Sequence, residues 1–333
     1  MVHAYAARAQ DKELEPFEYE LPERKEDEID INVAYCGICH SDLSMLQNDW
    51  HMTQYPFVPG HEVVGTVTAV GTGVKHLSLG QQVGVGWFTN SCTTCEQCMR
   101  GEHNHCPTRE QMIVGRHGGF ADTVRCGALW ATPLPDEMDL ASAGPLFCGG
   151  ITVFNPIAHY VKPTDKVAVI GIGGLGHLAL QFLSKWGCEV TAFTSSEDKM
   201  MEAKLYGAHH TVNSRDPDAI GKCAGQFDFV LNTTNANLPW EAYVQTLQPH
   251  GRFHTVGAVP DPIPLQAFSL IVGQKSVSGS PLGSPALVQQ MLAFCVRHGI
   301  KPKIEEFALA DVNAAMQHLK DGKARYRIVL KVS

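Results

Sequence analysis

The chain has 333 residues, 44% of them hydrophobic and 18% charged, the balance of a globular protein long enough for two domains of ordinary size. Its net charge of −8 comes without any Lys/Arg block, which argues against a nucleic-acid or anionic-membrane partner and for a small soluble molecule. The uncharged run at residues 167–183 contains four glycines and a histidine and is shorter than the roughly 20 residues a spanning helix needs, and no membrane segment is expected. Residues 1–10 lack a signal pattern, and the cytoplasm is the expected compartment. In that setting eleven cysteines read as metal ligands, catalytic groups or core residues rather than as a disulfide framework.

In chain order, residues 11–30 carry ten carboxylates, read as a solvated face. The first 150 residues are rich in Val, Gly, Pro and Thr, and the alternating run 62–71, broken by glycine, predicts a small, mostly antiparallel, barrel-like domain. From about Gly150 the pattern changes. Residues 165–170 read as a buried strand; Leu175, Leu178, Phe182, Leu183 and Trp186 then fall on one helical face. Further strands are predicted at 189–193, 228–231 and 252–256, so the middle of the chain reads as a doubly wound parallel sheet of the Rossmann type. A helix at 311–320 and a strand at 326–332 close the chain. The fold class is therefore α/β, a parallel Rossmann sheet plus a mostly β domain. The expected division is 1–149 with 288–333 for the β domain and 150–287 for the Rossmann domain.

Two motifs are local in sequence. Cys92, Cys95, Cys98 and Cys106 form C-x2-C-x2-C-x7-C, a spacing that lets four thiolates wrap one tetrahedral zinc. An iron-sulfur cluster is the competing metal. A closed all-cysteine site has no open coordination position and holds a loop rather than reacts; His103 and His105 beside it read as surface residues. The second motif, Gly171-Ile-Gly173-Gly174-Leu175-Gly176, is G-x-G-x-x-G between a predicted strand and helix, the context of a dinucleotide-binding turn. Its glycines let the backbone turn tightly and approach a pyrophosphate at the helix N-terminus; a turn that serves only helix-sheet packing is the alternative.

Three further segments hold potential metal ligands: Cys36-Gly-Ile-Cys39-His40-Ser41-Asp42, Gly60-His61-Glu62 and Phe147-Cys148-Gly-Gly-Ile-Thr152. Spacing alone cannot join them. Their order ahead of a G-x-G-x-x-G turn, with the quartet between the second and third, resembles the zinc-containing medium-chain alcohol dehydrogenases along essentially the whole chain. Within that family the chain looks closest to the cinnamyl-alcohol-dehydrogenase-like branch, and residues 142–154 and 322–327 resemble bacterial broad-specificity NADPH-dependent aldehyde reductases. The resemblance implies a GroES-like barrel for the β domain, a substrate pair of aldehyde and primary alcohol, and two zinc ions per chain.

It further implies that Cys39, His61 and Cys148 bind the catalytic zinc, that Glu62 is an alternative ligand, and that Asp42 fixes His61. Cys92, Cys95, Cys98 and Cys106 would hold the structural zinc. Cys36, Cys126, Cys188, Cys223 and Cys295 read as core thiols. Zinc would polarise the aldehyde oxygen while the nicotinamide delivers hydride, with Ser41 exchanging the proton and Thr152 packing behind the ring. His40, Gly171, Gly173, Gly174, Leu175, Gly176, Thr233, Val256, Gly257 and Ser278 would complete the cofactor contacts. Trp50, Trp87 and Phe88 line an aromatic-tolerant pocket or belong to the core. Ser44 stands where relatives often have a relay histidine.

NADPH is the expected cofactor. The second strand ends at Ser195 rather than at the carboxylate that accepts from a ribose 2′-hydroxyl; Ser195, Ser196 and Lys199 resemble the phosphate-binding set of the cinnamyl branch. Glu197 and Asp198 are expected to be solvated in the next helix, although a shifted turn could bring one to the ribose. An NAD-linked alcohol-oxidising enzyme and a catalytically inactive zinc-stabilised dinucleotide-binding protein are the alternatives. The resemblance also implies a homodimer, with an edge strand at 276–280 joining the cofactor domains of two copies.

Overall fold

The computed structural model describes residues 1–332, which divide into two compact units, 1–151 with 283–332 and 152–282. The chain recrosses at Gly283 rather than at 288 because the helix Pro285–His298 belongs to the first unit as a whole, started by the Ser284 cap on Leu287 N. No single helix among the described residues is long and apolar enough to cross a membrane.

The first unit is built on the eleven-residue strand Glu28–Ile38. Ile29, Ile31 and Val33 alternate into the core, and the strand pairs antiparallel with Val63–Val70, Thr123–Gly127 and Arg327–Lys331. Gln82–Val85, Thr132–Pro133 and Ile304–Ala308 extend this sheet to seven strands. Irregular register between Asp30 and Ile31 and between Val33 and Tyr35 bends the central strand, as bulges do where a sheet curls toward a barrel. A separate ribbon, Phe88–Asn90 with Glu110–Gln111, frames the cysteine quartet. The acidic run at 11–30 is not uniformly solvated. Glu28 is buried and accepts from Lys25 N at 2.9 Å, and Asp30 receives Arg125 Nε at 2.6 Å and Nη2 at 3.0 Å. Glu28 and Asp30 lie on the face of the strand opposite Ile29 and Ile31, and a carboxylate withdrawn from water there needs such partners.

In the second unit six parallel strands, β1 (Lys166–Ile170), β2 (Glu189–Thr194), β3 (His210–Asn213), β4 (Phe227–Asn232), β5 (Leu247–Thr255) and β6 (Ser276–Gly279), form a sheet in the order β3-β2-β1-β4-β5-β6. That is the order of dinucleotide-binding folds, with the reversal beside β1. The helix Gly176–Trp186 follows β1, buries Leu178, Phe182 and Leu183 completely, and ends on Gly187 at φ 113°. A core of Ile170, Phe193, Phe227, Trp240, Tyr243 and Phe253 fills one side of the sheet.

Candidate active site

The sheet of the first unit brings the scattered motifs together. Cys39 follows the central strand and caps the helix His40–Leu46, its N–H donating to Asp42 Oδ2 at 2.8 Å. The other oxygen of Asp42 accepts from Gly60 N at 2.9 Å and lies 2.9 Å from His61 Nδ1. One buried carboxylate thus ties the Cys39 segment to the His61 segment and orients the imidazole, leaving Nε2 for a ligand role. Nε2 lies 3.3 Å from Cys148 Sγ, and the two thiols are 3.8 Å apart. Burial opposes a charge on His61, but the Asp42 carboxylate outweighs it and raises the basicity of the ring. Ser41 Oγ is 3.8 Å from Cys39 Sγ.

Glu62 belongs to the same cluster: one donor atom each from Cys39, His61, Glu62 and Cys148 lies within 4.8 Å of the others, all buried. A Cβ on Gly37 would stand 2.0 Å from Glu62 Oε2, so a side chain there would displace the carboxylate from the cluster. Glu62 Oε1 is ion-paired with Arg327 Nη2, both side chains buried, while Oε2 has no partner. The register explains the pairing. Ile328 faces Ile38, and Gly37 N donates to Glu62 O at 3.0 Å, so Arg327 and Glu62 flank the same end of the central strand. The sequence reading gave Arg327 no role; the only signal was its place at the end of the segment 322–327, at the head of the terminal strand. A free carboxylate oxygen beside two thiols and an imidazole is the donor chemistry of a transition-metal site, and the set fits zinc.

The second cluster is the quartet. Donor atoms of Cys92, Cys95, Cys98 and Cys106 also lie within 4.8 Å of one another. Backbone N–H groups support the sulfurs: Cys95 N donates to Cys92 Sγ at 3.3 Å and Cys92 N to Cys106 Sγ at 3.4 Å. Bonds from Thr94 and Cys95 hold the Cys92 thiol down to about 5. His105 is exposed, whereas His103 is partly buried with its ring 6.5 Å from Trp130. Cys36, Cys126, Cys188, Cys223 and Cys295 lie outside both clusters and are buried; burial pushes Cys126, Cys188 and Cys295 up to about 12.

The aromatic residues divide. Trp87 stands edge-on to His61 with ring centres 5.0 Å apart, and Trp50 packs on Trp87 at 6.1 Å. Phe88 is buried against Trp130 at 5.4 Å and belongs to the core, because successive strand residues face opposite sides. Ser44 is buried, and His40 is exposed in the first helical turn.

In the second unit Gly171 adopts φ +85°, and a Cβ on Gly176 would stand 2.0 Å from Gly171 O. Packing therefore explains those two glycines. A Cβ on Gly173 would meet no atom within 4 Å, so protein packing gives no reason for that glycine, whereas the approach of a pyrophosphate does. Gly174 and Leu175 complete the turn, half-buried. Thr233 Oγ1 donates to Gly171 O at 2.6 Å and to Ile170 O at 3.0 Å, which pins the turn. Ser195 follows β2 directly. Ser196 caps the helix Glu197–Leu205, accepting from Lys199 N at 3.4 Å, and Glu197 and Asp198 are exposed in its first turn. Val256 and Gly257 follow β5, Thr152 lies in the helix Gly149–Tyr160, and the Ser278 hydroxyl bonds within the unit to Arg252 and His254.

A chain with a dinucleotide-type sheet and a buried set of two thiols, an imidazole and a carboxylate is a metal-dependent oxidoreductase in class. Residues 25–136 match the alcohol dehydrogenase GroES-like domain, and residues 174–297 match the zinc-binding dehydrogenase domain. The chain is 54% identical to an aldehyde reductase of Synechocystis over 100% of its length and 99% of the relative's, and 36% identical to a probable cinnamyl alcohol dehydrogenase of Arabidopsis thaliana over 99% and 93%. Among solved structures it superposes on a cinnamyl alcohol dehydrogenase of Sorghum bicolor with TM-score 0.95 at 36% identity, covering 99% of this chain and 97% of the other. The CAD of Helicobacter pylori complexed with NADP(H) gives TM-score 0.91 at 29% identity over 99% and 97%. The chain belongs to the zinc-dependent medium-chain alcohol dehydrogenase family, in its cinnamyl-alcohol-dehydrogenase-like branch.

Proposed function

We propose that this chain reduces aldehydes to primary alcohols, reversibly, with NADPH, and that Cys39, His61 and Cys148 form its catalytic centre. The observation that carries the reading is the buried cluster oriented by Asp42 on a chain whose dinucleotide turn has no carboxylate at the end of β2. A zinc ion held there supplies Lewis acidity toward a carbonyl oxygen, and the nicotinamide supplies hydride. Asp42 keeps the His61 proton on Nδ1 and so directs Nε2 toward the cluster. Ser41 holds the proton that the product oxygen takes up, and Trp87 with Trp50 gives an apolar wall that excludes water. Glu62 is the alternative ligand, balanced by Arg327. The quartet holds a second, structural zinc. A compartment that keeps thiols reduced, such as the cytoplasm, suits a chain that would commit six of its cysteines to zinc.

Cofactor choice is assigned to Ser195, Ser196 and Lys199, which offer two hydroxyls and one ammonium to a 2′-phosphate. Steady-state kcat/KM with NADPH and NADH tests this on a panel of aldehydes. The expected result is a preference for NADPH that Ser195→Asp lowers by at least about tenfold, since a carboxylate repels the phosphate and accepts from a free 2′-hydroxyl. A wild type that prefers NADH, or an unchanged ratio in the variant, sinks the assignment.

We also read the protein as a homodimer. β6 is a sheet edge, and Phe268, Ile271 and Val272 beside it are 74%, 66% and 73% exposed, the combination that a second copy would cover. Light scattering is expected to give twice the 36.3 kDa chain mass and to fall toward the single-chain value for Ile271→Glu; a monomeric wild type removes the reading.

A further inference from the structure

β5 and β6 run in register, with His254 opposite Ser278 and Arg252 opposite Ser276. Strand side chains alternate, so Ser278 and Ser280 share the face of His254 and stand about 7 Å apart along the chain. One imidazole spans that gap. His254 is fully buried, with Nδ1 2.9 Å from Ser278 Oγ and Nε2 2.9 Å from Ser280 Oγ. Arg252 Nη1 donates to Ser278 Oγ at 3.0 Å. The hydroxyl of Ser278 can then give its own proton to Nδ1 while Nε2–H donates to Ser280, a neutral arrangement in which each of these donors is used. Burial, with help from the Arg252 charge, pushes His254 down to about 4, which keeps the ring neutral at ordinary pH.

The ring is also held from the helix side. It stacks on Phe229 at 5.9 Å and faces Tyr160 at 5.7 Å, while the Arg252 guanidinium lies 4.3 Å over Tyr160. Tyr160 ends the helix that carries Thr152, and Asn155 of that helix donates to Leu282 O just beyond Ser280. His254 therefore ties three pieces of chain together: the end of β5 that leads into Val256 and Gly257, the segment Ser278–Ser280, and the Thr152 helix. In open parallel sheets, ligands bind outside the carboxyl ends of the strands. Those are the ends joined here, in a strand whose sheet partner within the chain is β5.

We propose that His254 is a positioning residue for the nicotinamide half of the cofactor, setting the backbone of Ser278–Ser280 against β5 and the Thr152 helix. This rests on the NADPH reading above. The adenosine half, assigned to the end of β2, lies in the other half of the sheet, so the two halves can be read separately. Titration calorimetry of the zinc-loaded enzyme with NADPH and with 2′,5′-ADP, which lacks the nicotinamide, is the test. His254→Phe is expected to weaken NADPH binding about tenfold and leave 2′,5′-ADP unchanged. His254→Gln, which keeps an amide donor and acceptor near the Nε2 position, should recover part of the loss. Ser280→Ala should show the same selectivity with a smaller factor, and it decides the matter if the phenylalanine variant does not fold. Equal losses for both ligands, or no loss of NADPH affinity in folded variants, overturn the proposal. If the wild type binds NADH instead, the NADPH reading has failed separately, and NADH with ADP supplies the same contrast for His254.

Discussion

Cys39→Ser is expected to lower aldehyde reduction by about a thousandfold or more while leaving the protein folded. The loss follows from the set of donors: serine at this position is a poor zinc ligand, and a Lewis acid contributes several kcal/mol, each 1.4 kcal/mol being about a factor of ten in rate. The fold should survive because the structural work of residue 39 is done by its backbone, whose N–H reaches Asp42. Cys95→Ser should behave in the opposite way. Its sulfur belongs to a loop framed by a two-stranded ribbon and lies in no reacting cluster, so the variant should lose roughly 10 °C of thermal stability and keep turnover per folded molecule. Metal analysis joins the two results, with two zinc ions expected in the wild type and one in each variant. A wild type with one zinc, an iron-sulfur absorption band, or a Cys39→Ser enzyme that keeps both zinc ions and its activity would each contradict the two-site reading.

What could be read from the sequence depended on how local the determining interactions are. The glycine turn and β1, β2 and β4 were legible because strand, turn and helix are consecutive, and each prints its own periodicity. The quartet was legible for the same reason, as its four thiols lie within one loop. Nothing local joins Cys39, His61 and Cys148; only likeness to a family did so, and the long pairing of Glu28–Ile38 with Val63–Val70 is what brings the first two near. Arg327 was invisible as a site residue because an arginine in sequence reads as a surface charge, and its burial comes from register with a strand almost three hundred residues earlier. Glu28 and Asp30 were misread within an acidic run for a related reason. β5 begins earlier than the expected 252–256, at Leu247, because Pro249, His250 and Gly251 are accommodated where the register with β4 shifts between Phe227 and Phe229.

Arg327→Met is expected to destabilise the enzyme by about 3–5 kcal/mol, the usual cost of leaving one member of a buried ion pair alone. Two cysteine thiolates and Glu62 bring three negative charges to a site where a zinc ion supplies two positive ones, and Arg327 supplies the balancing charge. Burial already raises Glu62 above the ordinary carboxylate value of 4.5, with Arg327 opposing the rise. Removing the arginine therefore raises Glu62 further. A carboxyl with a raised folded pKa binds its proton more tightly folded than unfolded, so the variant is penalised least at low pH. The penalty grows as pH climbs from about 4.5 through the raised value. Melting curves of the zinc-loaded proteins should show a gap between variant and wild type that is wider at pH 8 than at pH 6. Adding Glu62→Gln to Arg327→Met should narrow that gap, because it removes the stranded charge. Equal stability of variant and wild type at pH 8, or a double variant no more stable than the single one, would mean that Arg327 does not balance the charge of this site.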